Sequence, residues 1–230
     1  MEQVVCILGM HRSGTSCLAG SLEESGLFLG PVNTAARFNQ KGNRENPRIW
    51  QLHDAILAHS GGTWARPPAR VQWTDAHRAE RDSIIASYAN TPRWGFKDPR
   101  ALLAVDFWRE AIADLRFVGT FRHPDLVARS LFQREGRDID HWREVWGRYN
   151  ERLLSLHAAD PFPIVRFDLG EDAYRRSLAT VVARLGLAAA AEMAFFDADL
   201  RHQTAPPPPE LPEHLRRLYD ALCRVALEPG

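Results

Sequence analysis

The sequence predicts an α/β fold: a mainly parallel sheet with helices on both faces. Two observations carry that expectation. Short apolar, β-branched runs alternate along the chain with longer stretches whose apolar residues recur at helical spacing. The segments with the residue types for chemistry fall where strands end, the edge at which parallel sheets bind their ligands. A third observation sets the scale. The 230 residues, 45% hydrophobic and 25% charged, suit one globular domain over 1–230, with 205–230 as a proline-rich connector and a terminal helix.

The elements follow in chain order. Val4-Val5-Cys6-Ile7-Leu8 reads as a buried strand that ends at Gly9. A helix over 15–25 comes next, closed by Gly26. Residues 38–46 are polar and contain glycine, hence a loop. Ile49, Leu52, Ile56 and Leu57 mark a second helix, stopped by Gly61-Gly62. Residues 64–71, rich in Pro and Arg, read as a surface excursion. A helix covers 76–89, with Asp75 available as its cap. Residues 94–97 form a short strand ended by Asp98-Pro99-Arg100, and 107–112 a helix. The next strand is 115–121, after which Pro124 suits the first turn of a helix running towards Leu131. Asp140 can cap a helix whose stripe is Trp142, Val145, Trp146, Tyr149, Leu153 and Leu156, a core face rather than a cofactor box. Another strand spans 163–167. Tyr174, Leu178, Val181, Val182 and Leu185 form a helix stopped by Gly186, and Leu215, Leu218, Leu222 and Val225 mark the last one. Residues 206–209 read as a polyproline connector.

Composition removes several function classes. Lys plus Arg and Asp plus Glu both total 29, so no bulk charge is available to hold nucleic acid or an anionic membrane. No apolar run approaches the ~18–20 residues of a membrane span. The run at 4–8 is too short for a signal peptide, and no basic leader precedes it. Cys6, Cys17 and Cys223 cannot all pair and have no metal-ligand spacing, so a reducing, cytoplasmic setting is the simpler reading. Cys6, inside a strand pattern, reads as core.

The loop Gly9-Met10-His11-Arg12-Ser13-Gly14-Thr15-Ser16 joins the first strand to a helix. Its two glycines are four residues apart, as in a phosphate-binding P-loop. Glycines let backbone N–H groups close on an oxyanion, and the helix N-terminus adds partial positive charge. Nucleoside triphosphate enzymes place Lys after the second glycine, followed by a Mg²⁺-binding Ser or Thr. Here Thr15 stands at the lysine position and the cation is Arg12, inside the loop. That change argues against ordinary ATP or GTP hydrolysis, because an arginine fork addresses an anion directly. Further along, Arg122 follows a strand and Ser130 lies eight residues later, a little over two helical turns. An arginine and a hydroxyl meeting at one point suit a terminal phosphate. From spacing alone, Arg122 can equally cap carbonyls or pair with Asp125.

The loop with Arg12-Ser13-Gly14-Thr15-Ser16, joined with Arg122 and Ser130, resembles the sulfotransferases that use 3′-phosphoadenosine 5′-phosphosulfate (PAPS). Further likeness lies in Gly42-Asn43-Arg44-Glu45, in residues 94–100 and in Val165-Arg166-Phe167-Asp168-Leu169, and points to the bacterial branch of that family. The likeness covers roughly residues 3–190. It implies a three-layer fold related to P-loop kinases. Residues 9–16 would grip the 5′-phosphosulfate, and Arg122 with Ser130 the 3′-phosphate that selects this donor over ATP. PAPS would be cosubstrate, 3′-phosphoadenosine 5′-phosphate (PAP) the product, and a small molecule or carbohydrate the acceptor. The sequence departs from the cytosolic small-molecule branch, which has Lys where Arg12 stands and a histidine base with no match here.

Sulfuryl transfer moves a planar SO₃-like group in line to an acceptor, and charge accumulates on the departing phosphate oxygen. By analogy with phosphoryl transfer, positioning and electrostatics dominate, and Arg12 with the loop N–H groups stabilises that charge. No metal is expected. An alcohol acceptor must lose a proton, and the candidate bases are Glu45, then Asp98, then His11. Lys97 and Arg100 flank Asp98 and would lower its pKa, making it a poor base and a good orienter, or simply a salt-bridge partner. Lys97 either assists the donor's bridging oxygen or is a surface lysine. His53, His59, His77, His141, His157 and His214 have no ligand spacing and read as solvated or core-satisfied. Trp64 and Trp73 can line an acceptor pocket or merely pack. Arg201-His202 can close over the nucleotide. Two other readings stay open: a P-loop kinase with a displaced lysine, and a non-catalytic nucleotide-binding module.

Overall fold

The computed structural model describes residues 3–37, 39–190, 194–196 and 211–228. Phe38, Arg201-His202 and the polyproline run 206–209 lie outside the described residues. Four parallel strands, β1 (Gln3–Leu8), β2 (Arg93–Lys97), β3 (Leu115–Phe121) and β4 (Ile164–Arg166), form one sheet in the order β2-β1-β3-β4. Eight α-helices accompany it among the described residues: α1 (Thr15–Glu24), α2 (Pro47–His59), α3 (Asp75–Ala86), α4 (Val105–Arg109), α5 (Pro124–Glu135), α6 (Ile139–Ala159), α7 (Glu171–Arg184) and α8 (Glu213–Val225). A 3₁₀ segment, Pro99–Leu103, lies between β2 and α4.

The central strand β1 shows why the sheet is covered twice. Successive side chains of a strand point to opposite faces. Val4, Cys6 and Leu8 enter one core with residues of α2, α3, α4, α5, α6 and α8, while Val5 and Ile7 enter another with α1 and α7. A strand buried on both faces needs a continuous apolar run, which is what residues 4–8 supply. The α/β class and the helices on both faces are therefore as expected.

Three local readings change. The cap of α3 is Thr74, whose side chain accepts from His77 N, and Asp75 is the first helical residue. The cap of α6 is Asp138, accepting from His141 N at 2.5 Å, and Asp140 lies in the first turn. In both cases the true cap is an oxygen-bearing side chain just outside the helix in extended conformation, which the neighbouring Asp masks in sequence. The Pro/Arg-rich excursion is also less superficial than expected. Trp64 is half-buried and stacked on Trp142 at 5.5 Å between ring centroids. Trp73 packs on Phe107 and donates to Glu110.

Candidate active site

The site lies at the carboxyl edge of the sheet, where β1, β2 and β3 deliver their loops side by side. The register pairs Ile7 with Lys97 and Leu8 with Gly119, so Gly9, Asp98 and Arg122 leave adjacent strands within a few residues of the same edge. Gly9 has φ +153 and no room for a side chain. A Cβ there would lie 2.5 Å from Thr120 O. Gly14, at φ +86, starts α1 and abuts the Phe167 ring. Both glycines are thus required by close approach as well as by backbone angle.

Between them the loop alternates inward and outward. Met10, His11, Ser13 and Thr15 are buried, while Arg12, Gly14 and Ser16 are half-exposed. Met10 joins the core, so only its backbone faces the edge. Thr120 Oγ1 donates to Ser13 O at 3.0 Å and fastens the loop to β3. The Ser13 Oγ is buried without a hydrogen-bond partner. The cap position of α1 is Gly14, which has no side chain to cap the first turn. An uncapped helix N-terminus beside a buried hydroxyl and an arginine is a donor set that fits an anion.

Arg12 sits at φ +66, a left-handed conformation uncommon outside glycine. Its Nε donates to Ser130 Oγ at 2.8 Å, across 118 residues. Burial, then the nearby Arg134, pulls the Arg12 pKa down. Ser130 lies on α5 and is mostly buried. The structure thus brings the first loop directly against the second Arg…Ser segment. Arg122 is itself nearly buried, with its guanidinium 5.5 Å from the centre of the Phe167 ring. Asp125, the alternative partner considered for it, is ion-paired to Arg143 at 2.7 Å. Phe167 therefore touches Gly14 on one side and Arg122 on the other. In sequence, Phe167 stands out only as part of the strand-end stretch 165–169, and no contact with Gly14 or Arg122 is legible there.

The carboxylates separate into two environments. Glu45 is held in the loop before α2: its N donates to Asn33 Oδ1 at 3.0 Å and its O accepts from Asn33 N at 3.2 Å. Its Oε1 accepts from Lys97 Nζ at 2.6 Å. Lys97 is 2% exposed, so it is not a surface lysine. Asp98 is fully buried. Its Oδ2 is 2.5 Å from His53 Nδ1, and its Oδ1 accepts from Arg100 Nη1 at 2.8 Å. Trp108 Nε1 donates to His53 Nε2 at 2.8 Å, so the His53 proton is on Nδ1 and points at Asp98. Burial alone would raise the Asp98 carboxyl. The Arg100 charge and the His53 hydrogen bond outweigh it and hold the group well below the usual carboxylate range. His53 is thus core-satisfied, and Asp98 holds its surroundings together.

His11 is buried against Trp64 at 4.3 Å between rings, with Tyr149 edge-on at 6.2 Å. Burial, then the Arg100 charge, pushes its pKa well below that of an ordinary histidine. A cavity of about 550 Å³ opens beside this aromatic group, lined by Asp54, Thr63, Trp64, Glu135, Arg137 and Trp142 among others. Trp73 does not line it. Among the described residues, no three His, Cys, Asp or Glu side chains cluster as a metal site, and no helix is long and apolar enough to cross a membrane.

Comparison with known proteins bears on this geometry. The chain is similar in structure to the sulfotransferase domain of the Synechococcus PCC 7002 olefin synthase, with TM-score 0.59 and 16% identity over 97% of this chain and 96% of that one. It is similar to sulfotransferase STF1 from Mycobacterium tuberculosis, with TM-score 0.52 and 15% identity over 97% of this chain and 77% of that one. At such identities the likeness is one of fold. No curated protein matches the chain. A family model described as the sulfotransferase family matches residues 4–190, a stretch that includes the 9–16 loop, Glu45, Lys97, Arg122 and Ser130. With that match over most of its length, the chain belongs to the sulfotransferase family.

Proposed function

We propose that this protein transfers a sulfuryl group from PAPS to the hydroxyl or amine of a small-molecule or carbohydrate acceptor. The hydrogen bond from Arg12 to Ser130 carries the reading, because it joins the two anion-binding segments into one site. The chain acts as one sulfotransferase-like unit over residues 1–230.

The donor, when bound, supplies a sulfuryl group already attached to a phosphate leaving group. Everything else comes from the chain. The amides at the start of α1, with Gly9, Ser13, Gly14 and Ser16, bind the 5′ anion. Arg12 neutralises the charge that builds up as the bond to sulfur breaks. Arg122 and Ser130 bind the 3′-phosphate and so select the donor. Thr15 stands where a magnesium-dependent loop needs lysine, which supports transfer without a metal. Glu45 is the base. Lys97 and Asn33 hold it from both sides, and the oxygen not paired with Lys97 takes the acceptor proton. Asp98 is too strongly held as an anion to serve, and it positions Arg100 and His53. The cavity beside Trp64 receives part of the acceptor.

Calorimetry with PAP, ADP and ATP in the absence of magnesium tests the proposal. Tighter binding of PAP, with the preference fading in Arg122→Ala, is the expected result. Equal or tighter binding of ATP would return the chain to kinase-like chemistry. PAP binding without transfer to any hydroxyl or amine acceptor would make it a binding module.

A further inference from the structure

The last helix, α8, lies beyond residues 4–190, the stretch the family model covers. It nevertheless packs against the turn that carries Arg122. We infer that α8 belongs to the donor-selecting apparatus of this chain, with Tyr219 as a positioning residue for Arg122. The inference rests on Arg122 being the 3′-phosphate clamp.

Arg122 leaves β3 in a tight strand-to-helix turn, so the direction of its guanidinium depends on how the backbone on either side is held. The carbonyl of Arg122 accepts from Trp146 Nε1 at 2.9 Å. The next amide, His123 N, donates to Asp168 Oδ2 at 3.2 Å. Asp168 is oriented in turn by Arg166 Nε on Oδ1 at 2.9 Å and by Tyr219 Oη on Oδ2 at 3.1 Å. Tyr219 therefore shares a carboxylate oxygen with the backbone amide beside Arg122. Its ring lies 4.8 Å from that of His123 and 5.8 Å from that of Phe121, touching the two residues that flank Arg122.

The helix that brings Tyr219 there is itself anchored. Leu215 and Leu222 are fully buried. Leu215 comes so close to Gly147 of α6 that a Cβ on that glycine would lie 3.0 Å from Leu215 Cδ2. Past the helix end, Leu227 N donates to Ile164 O of β4 at 2.8 Å. Burial, then the Asp168 charge, raises the Tyr219 phenol far above its usual value, so it remains a donor throughout the working pH range. Removing only that hydroxyl leaves the aromatic packing in place and releases one of the donors that hold Asp168.

The test compares PAP with AMP, which differ only in the 3′-phosphate, by calorimetry on the full chain. In Tyr219→Phe, PAP affinity should fall about three- to tenfold with AMP affinity unchanged, the size expected for one released hydrogen bond. Asp168→Asn should do the same more strongly. In steady state the loss should appear in the KM for PAPS with kcat retained. An unchanged PAP-to-AMP ratio in both variants, or an equal fall for both nucleotides, would overturn the inference. The underlying reading has a separate signature. If the wild type prefers PAP and Arg122→Ala abolishes that preference, the clamp stands whatever Tyr219→Phe does. If the wild type shows no preference, clamp and buttress fail together.

Discussion

Arg12 occupies a backbone conformation that a non-glycine residue adopts at a cost of about 1–2 kcal/mol. From that strained backbone the Arg12 side chain reaches Ser130, the placement on which the proposed role of its charge depends. Arg12→Ala is expected to lower kcat by about 10²–10³ or more, the loss typical of one preorganised donor, with the fold intact by circular dichroism. Arg12→Gly should lose activity equally and melt higher, because glycine relieves the left-handed strain. The two carboxylates are separated by pH. Glu45→Gln should remove the acidic limb of the rate profile, and Asp98→Asn should leave that limb in place. Asp98 should matter instead for stability. Its folded pKa is depressed, so its contribution is present above the ordinary value of about 3.9 and disappears as pH falls from there towards the lower folded value. Asp98→Asn, which breaks a buried pair, should cost about 3–5 kcal/mol at neutral pH. It should also flatten the fall in melting temperature between about pH 4 and pH 2. An Asn variant as stable as the wild type would contradict the buried network.

At the scale of elements, β1 and α1 hold the two ends of the 9–16 loop, and Thr120 of β3 and Phe167 crowd it from the side. Gly14 lies under the Phe167 ring, and its φ is +86. Gly14→Ala should therefore displace either the ring or the first turn of α1. PAP affinity should drop by an order of magnitude or more, together with about 1–3 kcal/mol of stability. Retention of both would mean that the loop tolerates a side chain and is not closely formed. The strands and most helices were legible in sequence, since each is a run of residues whose periodicity is local. The caps of α3 and α6 were not, because Thr74 competes with Asp75, and Asp138 with Asp140, for one role. The Pro and Arg around Trp64 mark a surface excursion and leave its own role open between pocket and packing, because its ring partners, His11 and Trp142, are distant in sequence.

For the whole molecule, the sheet separates two cores and α8 closes the larger one. Leu222→Ala should cost about 2–5 kcal/mol as a large-to-small core change. It should reduce PAP affinity more than AMP affinity if α8 supports Arg122, and equal losses would confine the helix to a stabilising role. The sequence by itself determined the fold class, the glycine-bounded 9–16 loop with Arg12 inside it, and the spacing of Arg122 and Ser130. These are written in neighbouring residues, where helical and strand periods and glycine positions operate. Only the tertiary structure decided which polar side chains meet. Arg12 reaches Ser130 across 118 residues, Lys97 reaches Glu45 across 52, and Tyr219 reaches Asp168 across 51. Parallel strands joined by helical crossovers bring such residues to one edge. No local pattern encodes a contact whose two halves are specified independently and meet only when the sheet assembles.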